Sequence, residues 1–241
     1  MKTIKPIEQI AEELGIGKDS LEFYGNYKAK IPLENIKNNK YKLIVVTAIS
    51  PTPLGEGKST TAIGLTQGFG KINKNVALTI RQPSLGPVFG HKGGGTGGGK
   101  STVEPAVDIN LHFNGDFHAM ESAHNFLAAM VDNSVYRSVI NNFYPENITW
   151  RRVTDAEDRS LRSIVSGVGG SANAPIRTTG FDISAASEIM AILALTDSYK
   201  DLRERLGNIV VGWKKDKTPV LAKDINAVGS MMALLRDAIK P

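Results

Sequence analysis

The chain has 241 residues, 41% hydrophobic and 22% charged, without cysteine, which predicts a packed core and excludes disulfides, thiolate metal sites and a cysteine nucleophile. The net charge is +5, and the bases are scattered without an aromatic-studded stripe, so nucleic acid is not an expected partner. The longest apolar runs, 43–46 and 189–195, are too short to span a bilayer, and we therefore expect a cytoplasmic protein with no membrane partner.

The first predicted elements alternate between helix and strand. An amphipathic helix is predicted at 7–14. The segment 42–49 is apolar except for Lys42 and Thr47 and is rich in β-branched residues, which is typical of a strand covered on both faces in a parallel sheet. A helix at 59–69 and a second buried strand at 76–80 complete one βαβ unit.

Later elements are mostly helical. Positions 86–99 are mostly glycine, which predicts no regular secondary structure there. The remaining predicted elements are strands at 108–113 and 209–213 and helices at 116–132, 154–167, 184–196, 198–206 and 222–240. The last helix carries an apolar face that we expect to be partly uncovered, formed by Ile225, Val228, Met232, Leu235 and Ile239.

The segment 52–60 has the pattern of a loop that binds phosphate groups. A triphosphate needs several backbone N–H groups aimed at one point and a positive helix end behind them. Gly55 and Gly57 can adopt the positive φ that turns those amides inward. Lys58 would reach the β- and γ-phosphate oxygens, and the Ser59 hydroxyl would help to hold Mg²⁺. Thr52 stands where the strict pattern begins with glycine, and an ordinary Gly/Pro turn with a surface lysine is the alternative.

From this loop we predict ATP and Mg²⁺ as ligands and a P-loop NTPase-like α/β fold, a mostly parallel sheet flanked by helices, in one nucleotide-binding domain over 1–241. Ser59 is the predicted metal ligand, and Lys58 and Arg81 are the predicted catalytic residues. The predicted ATP-binding residues are Thr52, Pro53, Leu54, Gly55, Glu56, Gly57, Lys58, Ser59 and Thr60.

Arg81 directly follows the strand predicted at 76–80. Ligands collect outside the carboxyl ends of strands in open α/β sheets, and a guanidinium suits a phosphate or a carboxylate. A surface arginine in a turn before Pro83 is the alternative. The glycine tract 93–99 is either a flexible linker or a close-packed backbone surface near a ligand. Structural hydrogen bonding is expected of the histidines, which are His91, His112, His118 and His124.

Several stretches resemble the formate–tetrahydrofolate ligase family. The clearest are Thr52-Pro53-Leu54-Gly55-Glu56-Gly57-Lys58, which resembles the family's ATP loop, and Arg81-Gln82-Pro83-Ser84-Leu85-Gly86, which precedes the glycine tract as in a family signature. Further matches are at 24–30, 108–116, 148–152, 179–184 and 237–241. Trp150 lies in one of these matches, beside Arg151 and Arg152, and is therefore interpreted as a packing residue. Gln82, His91 and Lys100 stand where family members usually carry Glu, an apolar residue and an aromatic residue.

The resemblance implies a ligase that uses ATP, formate and tetrahydrofolate to make 10-formyltetrahydrofolate, ADP and phosphate through formyl phosphate. In it, Arg81 matches the arginine that holds formyl phosphate, and members assemble as homo-oligomers. The resemblance further implies that the chain is shortened relative to the family: it covers the amino-terminal part, a little under half, and the folate-stacking residues lie outside it. Two alternatives remain, a P-loop switch ATPase and a non-catalytic remnant that folds or oligomerises.

Overall fold

The computed structural model of the chain describes residues 4–35, 41–50, 52, 55–86, 89, 95–170 and 172–241. Helices and short strands are mixed along the chain, which places it in the α/β class. Contacts divide it into two compact units, residues 1–114 with Lys240–Pro241, and residues 115–239. Within the described ranges, no helix combines the length and the apolar character that crossing a membrane requires.

The first unit is built from short elements. Its strands form two antiparallel hairpins, β1 with β2 and β3 with β4. The end of the chain joins this unit, since the amide of Ile31 donates to the carbonyl of Pro241 at 2.9 Å and Lys240 Nζ lies 2.7 Å from a Glu22 carboxylate oxygen. The elements are α1 (Ile7–Glu13), β1 (Glu22–Phe23), β2 (Ala29–Lys30), α2 (Lys58–Lys71), β3 (Gly97–Gly98), β4 (Ser101–Thr102) and α3 (Ala106–Asn110), with short 3-10 helices at Lys18–Ser20 and Leu33–Asn35.

Two helices of this unit are confirmed close to their predicted positions. Helix α1 starts immediately after Pro6, whose fixed φ suits a helix start. Helix α2 covers the range predicted for 59–69 and extends it slightly at both ends.

The two strands predicted at 42–49 and 76–80 are wrong for this structure, since residues 41–48 and 74–80 form neither helix nor strand. Leu43 is 85% exposed and its neighbour Ile44 is 56% exposed, so side chains on both faces of the segment meet solvent. A strand requires a paired neighbour, and no described strand pairs with either segment. The apolar side chains of these segments favour burial between other elements, but the described residues do not bury them.

The strand predicted at 108–113 is also wrong, because α3 occupies Ala106–Asn110. The helix begins directly after Pro105, and the amide of Ile109 donates to the Pro105 carbonyl at 3.0 Å. Ile109 alternates with polar neighbours, which is the pattern of a half-buried strand. Over so few residues, however, this pattern does not distinguish a strand from a helical turn.

The second unit has an extended apolar core around one long helix, α4 (Asp116–Tyr136). The buried side chains of α4 recur every three or four residues, as the core face of a helix requires. They include Met120, Ala123, Leu127, Ala128 and Val131. The later elements are β5 (Arg152–Thr154), β6 (Ile164–Ser166), β7 (Arg177–Thr179), β8 (Phe181–Ile183), α5 (Glu188–Leu195), α6 (Tyr199–Gly207), β9 (Val210–Trp213), β10 (Pro219–Leu221) and α7 (Val228–Leu234), with 3-10 helices at Pro145–Asn147, Arg159–Leu161, Ser184–Ala186 and Ala222–Ile225.

Every sheet formed by the described residues has two strands, and of these sheets only the β5–β8 pair is parallel. Arg152 of β5 lies opposite Phe181 of β8. Strands β6 and β7 pair antiparallel, as do β9 and β10. The strand predicted at 209–213 is confirmed as β9.

Three of the helices predicted in this unit need correction. The helix predicted at 184–196 begins only at Glu188, because Ser184–Ala186 form a separate 3-10 helix and Ser187 is the N-cap of α5. The helix predicted at 154–167 is wrong: Thr154 ends β5, where it pairs with Ile183, and Asp158 caps a short 3-10 helix by accepting from the Ser160 amide. The helix predicted at 222–240 is interrupted at Asn226, whose φ of 57° is left-handed. The interruption places Met231 in the core. Three of the five residues predicted for the apolar face, Ile225, Leu235 and Ile239, are buried, while Val228 and Met232 are half-buried, so only a small part of that face is uncovered.

His124 and Trp150 form a buried polar and aromatic contact in this unit. Their rings stack with centroids 4.2 Å apart, and the indole N–H donates to the His124 carbonyl at 3.2 Å. His124 Nε2 lies 3.0 Å from the Arg151 carbonyl and therefore donates, while Nδ1 accepts from the Ser187 hydroxyl at 2.8 Å. Burial lowers the pKa of His124 to about 4. Both residues have the structural roles predicted for them.

Candidate functional site

The predicted phosphate loop lies immediately before α2. Gly55 has a φ of 83° and Gly57 has a φ of 70°, as the loop interpretation expects. The Gly55 amide donates to the Thr52 carbonyl at 3.1 Å, which turns the chain back toward the helix. Gly57 is the N-cap of α2, and its carbonyl accepts from the Thr61 amide at 2.8 Å.

The beginning of α2 suits an anionic ligand. The first amides of a helix have no partner within the helix, and the helix dipole makes this end positive. No acidic residue lies in the first turn of α2, and the N-cap glycine has no side chain to accept from those amides. Lys58 is the first residue of the helix, and Ser59 and Thr60 follow it, half-buried.

Glu56 and Lys58 form an ion pair inside this loop. Glu56 Oε2 accepts from Lys58 Nζ, and Oε1 of the same carboxylate accepts from the Thr52 amide. The ammonium of Lys58, followed by the Thr52 amide, lowers the pKa of the Glu56 carboxyl below its usual range. Glu56 was predicted only as part of the loop, and its contact with Lys58 was missed. An acidic and a basic residue separated by one glycine at 56–58 are the sequence signal that could have predicted this pair.

Thr52 is exposed. The predicted contacts of Pro53 and Leu54 fall outside the described residues. Arg81 is exposed in the irregular stretch that replaces the predicted strand. The structure thus brings Thr52, Glu56 and Lys58 together, while the role of Arg81 stays a prediction.

A glycine-rich hairpin packs against α2. The strands β3 and β4 form this hairpin, so the expectation of no regular structure up to Gly99 is wrong at Gly97–Gly98. The side-chain amide of Gln67 in α2 donates to the Thr102 carbonyl at 3.1 Å. A Cβ atom added to Gly97 would lie 2.9 Å from Ile63 Cδ1 and 1.9 Å from the Ser101 carbonyl oxygen.

At Gly95 and Gly97 the described end of the glycine tract is therefore close-packed rather than a flexible linker. A Cβ added to Gly95 would lie 2.3 Å from Pro83 Cγ, well inside van der Waals contact. Gly64 of α2 also approaches the hairpin, since its Cβ would lie 2.9 Å from Ser101 Oγ. The other part of the tract, with His91, lies outside the described residues.

Three features define a candidate site for a phosphate-bearing ligand in an α/β protein. They are a loop turned by glycines, a lysine at the first position of the following helix, and a hairpin packed on that helix. The family model described as formate–tetrahydrofolate ligase matches residues 1–241. The chain therefore belongs to the formate–tetrahydrofolate ligase family.

Curated relatives agree with this assignment. The chain is similar to the formate–tetrahydrofolate ligases of Desulforamulus reducens, with 52% identity over 98% of the chain and 42% of the relative, and of Syntrophus aciditrophicus, with 52% identity over 100% of the chain and 43% of the relative. It is 54% identical to the ligase of Methylococcus capsulatus over 100% of the chain and 44% of that relative. The chain thus spans less than half the length of these relatives.

Proposed function

We propose that this chain supplies the ATP-binding and phosphoryl-transfer part of a formate–tetrahydrofolate ligase. The observation that carries the proposal is the position of Lys58, at the start of α2 and directly after the two left-handed glycines of the loop. That position allows an ammonium and converging backbone amides to meet a phosphate group together.

In the proposed reaction, a carboxylate oxygen of formate attacks the γ-phosphorus of ATP. The new P–O bond forms as the bond to the β–γ bridging oxygen breaks, and ADP leaves with that electron pair. The product, formyl phosphate, is then attacked at its formyl carbon by the amine of tetrahydrofolate. Phosphate leaves with the bonding electrons, the amine loses its proton, and 10-formyltetrahydrofolate results.

Lys58 would neutralise the charge that develops on the transferring phosphoryl group, and the loop amides would hold the phosphates in line. Arg81, as a bidentate donor, would hold formate and then formyl phosphate. Ser59 presents an oxygen donor of the kind that Mg²⁺ accepts, and Mg²⁺ usually takes few protein ligands and completes its shell with phosphate oxygens and water. When bound, the ion would neutralise phosphate charge.

The proposal also retains the P-loop NTPase-like sheet for the complete ligase. It is supported by the apolar, exposed side chains at 43–45 and by the further length of the relatives. Membership in the ligase family weighs against the alternative of a P-loop switch ATPase. Homo-oligomeric assembly and a cytoplasmic location stay predictions.

The experiment that tests the proposal is a calorimetric titration of the 241-residue chain with ATP and Mg²⁺. Lys58→Ala should weaken nucleotide binding by about tenfold or more, because hydrogen bonds to charged groups contribute about 1.5–3 kcal/mol. Lys71→Ala, at the opposite end of the same helix, is the matched control and should bind like the wild type. Equal affinities in all three proteins would contradict the nucleotide site and leave the non-catalytic remnant as the better reading.

A further inference from the structure

The carboxylate of Glu56 is directed into the loop rather than into solvent. Its side chain is 18% exposed, and each of its oxygens has a donor within the loop. The donors are the Lys58 ammonium and the Thr52 amide. They are the same two kinds of group, a cation and a backbone N–H, that a phosphate-binding loop offers to its ligand.

We propose that Glu56 is an internal competitor for the phosphate groups of the nucleotide, holding the Lys58 ammonium and the Thr52 amide until a phosphate displaces it. The inference rests on the proposed function, since it concerns the same loop. The inference gives Glu56 a definite role: its carboxylate is the anion that occupies these two donors before the nucleotide binds.

The contacts explain why displacement is feasible. Binding exchanges one anionic acceptor for another, so Lys58 is paired before and after the exchange. Lys58 is itself 45% exposed, and ion pairs with this much solvent contact are weak enough to break at modest cost. The displaced carboxylate must then move away, because it would repel a phosphate that occupied its place.

Charge removal at this position should therefore strengthen anion binding. We would titrate the 241-residue chain with ADP without Mg²⁺, so that neither turnover nor metal binding contributes. Glu56→Gln should bind ADP about three- to fivefold more tightly than the wild type, as expected from loss of a partly exposed ion pair. The matched control is Glu13→Gln, which removes the same charge from an exposed pair with Lys5 outside the loop, and its affinity should lie within about twofold of the wild type.

A double variant separates direct competition from general repulsion. With Lys58→Ala in place, Glu56→Gln should increase ADP affinity by less than it does in the wild type, because the shared ammonium is gone. An equal increase in both backgrounds would overturn the inference. So would unchanged or weaker ADP binding by Glu56→Gln while the wild type binds ADP, and that result would leave the proposed nucleotide site intact. Absence of ADP binding by the wild type and by every variant would overturn the inference, and absence of binding of ATP with Mg²⁺ as well would overturn the proposed function itself.

Discussion

Replacing Gly97 by alanine tests whether the glycine hairpin is fixed against α2. The new Cβ atom would lie 1.9 Å from the Ser101 carbonyl oxygen and 2.9 Å from Ile63 Cδ1. The first of these neighbours is backbone, which cannot rotate away as a flexible side chain can. Alanine would therefore force the hairpin to open or to move off the helix.

The expected loss follows from the contacts. Alanine at the left-handed φ of 81° costs about 1–2 kcal/mol. Moving the hairpin also breaks the hydrogen bond from Gln67 to the Thr102 carbonyl, a bond that contributes about 0.5–1.5 kcal/mol. Together these effects lower the local stability of the hairpin by about 2–3 kcal/mol. Gly98→Ala is the control, because its Cβ would have no neighbour within 4 Å, and its effect should stay below about 1 kcal/mol.

Amide hydrogen exchange is the suitable assay, because it reports local opening. The Val103 amide donates to the Thr96 carbonyl at 3.1 Å and closes the hairpin. In Gly97→Ala this amide should exchange about 30- to 150-fold faster than in the wild type, the ratio that about 2–3 kcal/mol represents. Equal exchange rates in the Gly97 and Gly98 variants would refute the close packing of the hairpin.

Two further predictions concern the second unit, both measured by urea denaturation. Asp132→Ala should lower the free energy of unfolding by about 3–5 kcal/mol, because Asp132 accepts from Arg177 Nε at 2.9 Å and both side chains are buried. Asp182→Ala removes an exposed pair and should cost less than about 1 kcal/mol, so similar losses would contradict the reasoning. The pKa of His124 is about 4 in the folded protein, against 6.5 for the free imidazole. Below pH 6.5 the unfolded chain therefore binds a proton at this residue that the folded chain does not. Stability from this group is complete above pH 6.5 and falls by about 3 kcal/mol as pH approaches 4, and a His124→Gln variant that kept the same slope would exclude His124 as the cause.

Features that depend on local chemistry could be predicted from the sequence. Helix α6 begins where Ser198 can cap it, and the Ser198 hydroxyl accepts from the Asp201 amide at 3.2 Å. The start of α5 was predicted four residues too early, although Ser187 caps that helix in the same way by accepting from the Ile189 amide. The long helix α4 carries a clear apolar period, and it was predicted with its start at the correct residue.

The pairing of distant strands and the interruption of a helix could not be predicted from the sequence in this way. Thr154 has helix-capping spacing with Glu157, yet it pairs with Ile183, a partner distant in sequence. Asn226 interrupts a convincing helical period with one left-handed residue, which Asn tolerates better than most residues do. The glycine tract left two interpretations open, and the close approaches of Gly95 to Pro83 and of Gly97 to Ser101, which join parts of the chain in space, decide between them at these positions.

The case for a phosphate site does not depend on the strands that were wrongly predicted. That case requires a loop with left-handed residues, a cation at the helix start and a helix that begins there, and Gly57, Lys58 and α2 provide these locally. A β-sheet packed beneath the loop would hold it in position, whereas in this structure the hairpin β3–β4 packs on α2 through Ile63 and Gln67. If that packing holds the helix in place, Gly97→Ala should weaken ADP binding as well as hairpin protection, while Gly98→Ala should change neither. Loss of hairpin protection with unchanged ADP affinity would mean that the loop and the helix start suffice for binding by themselves.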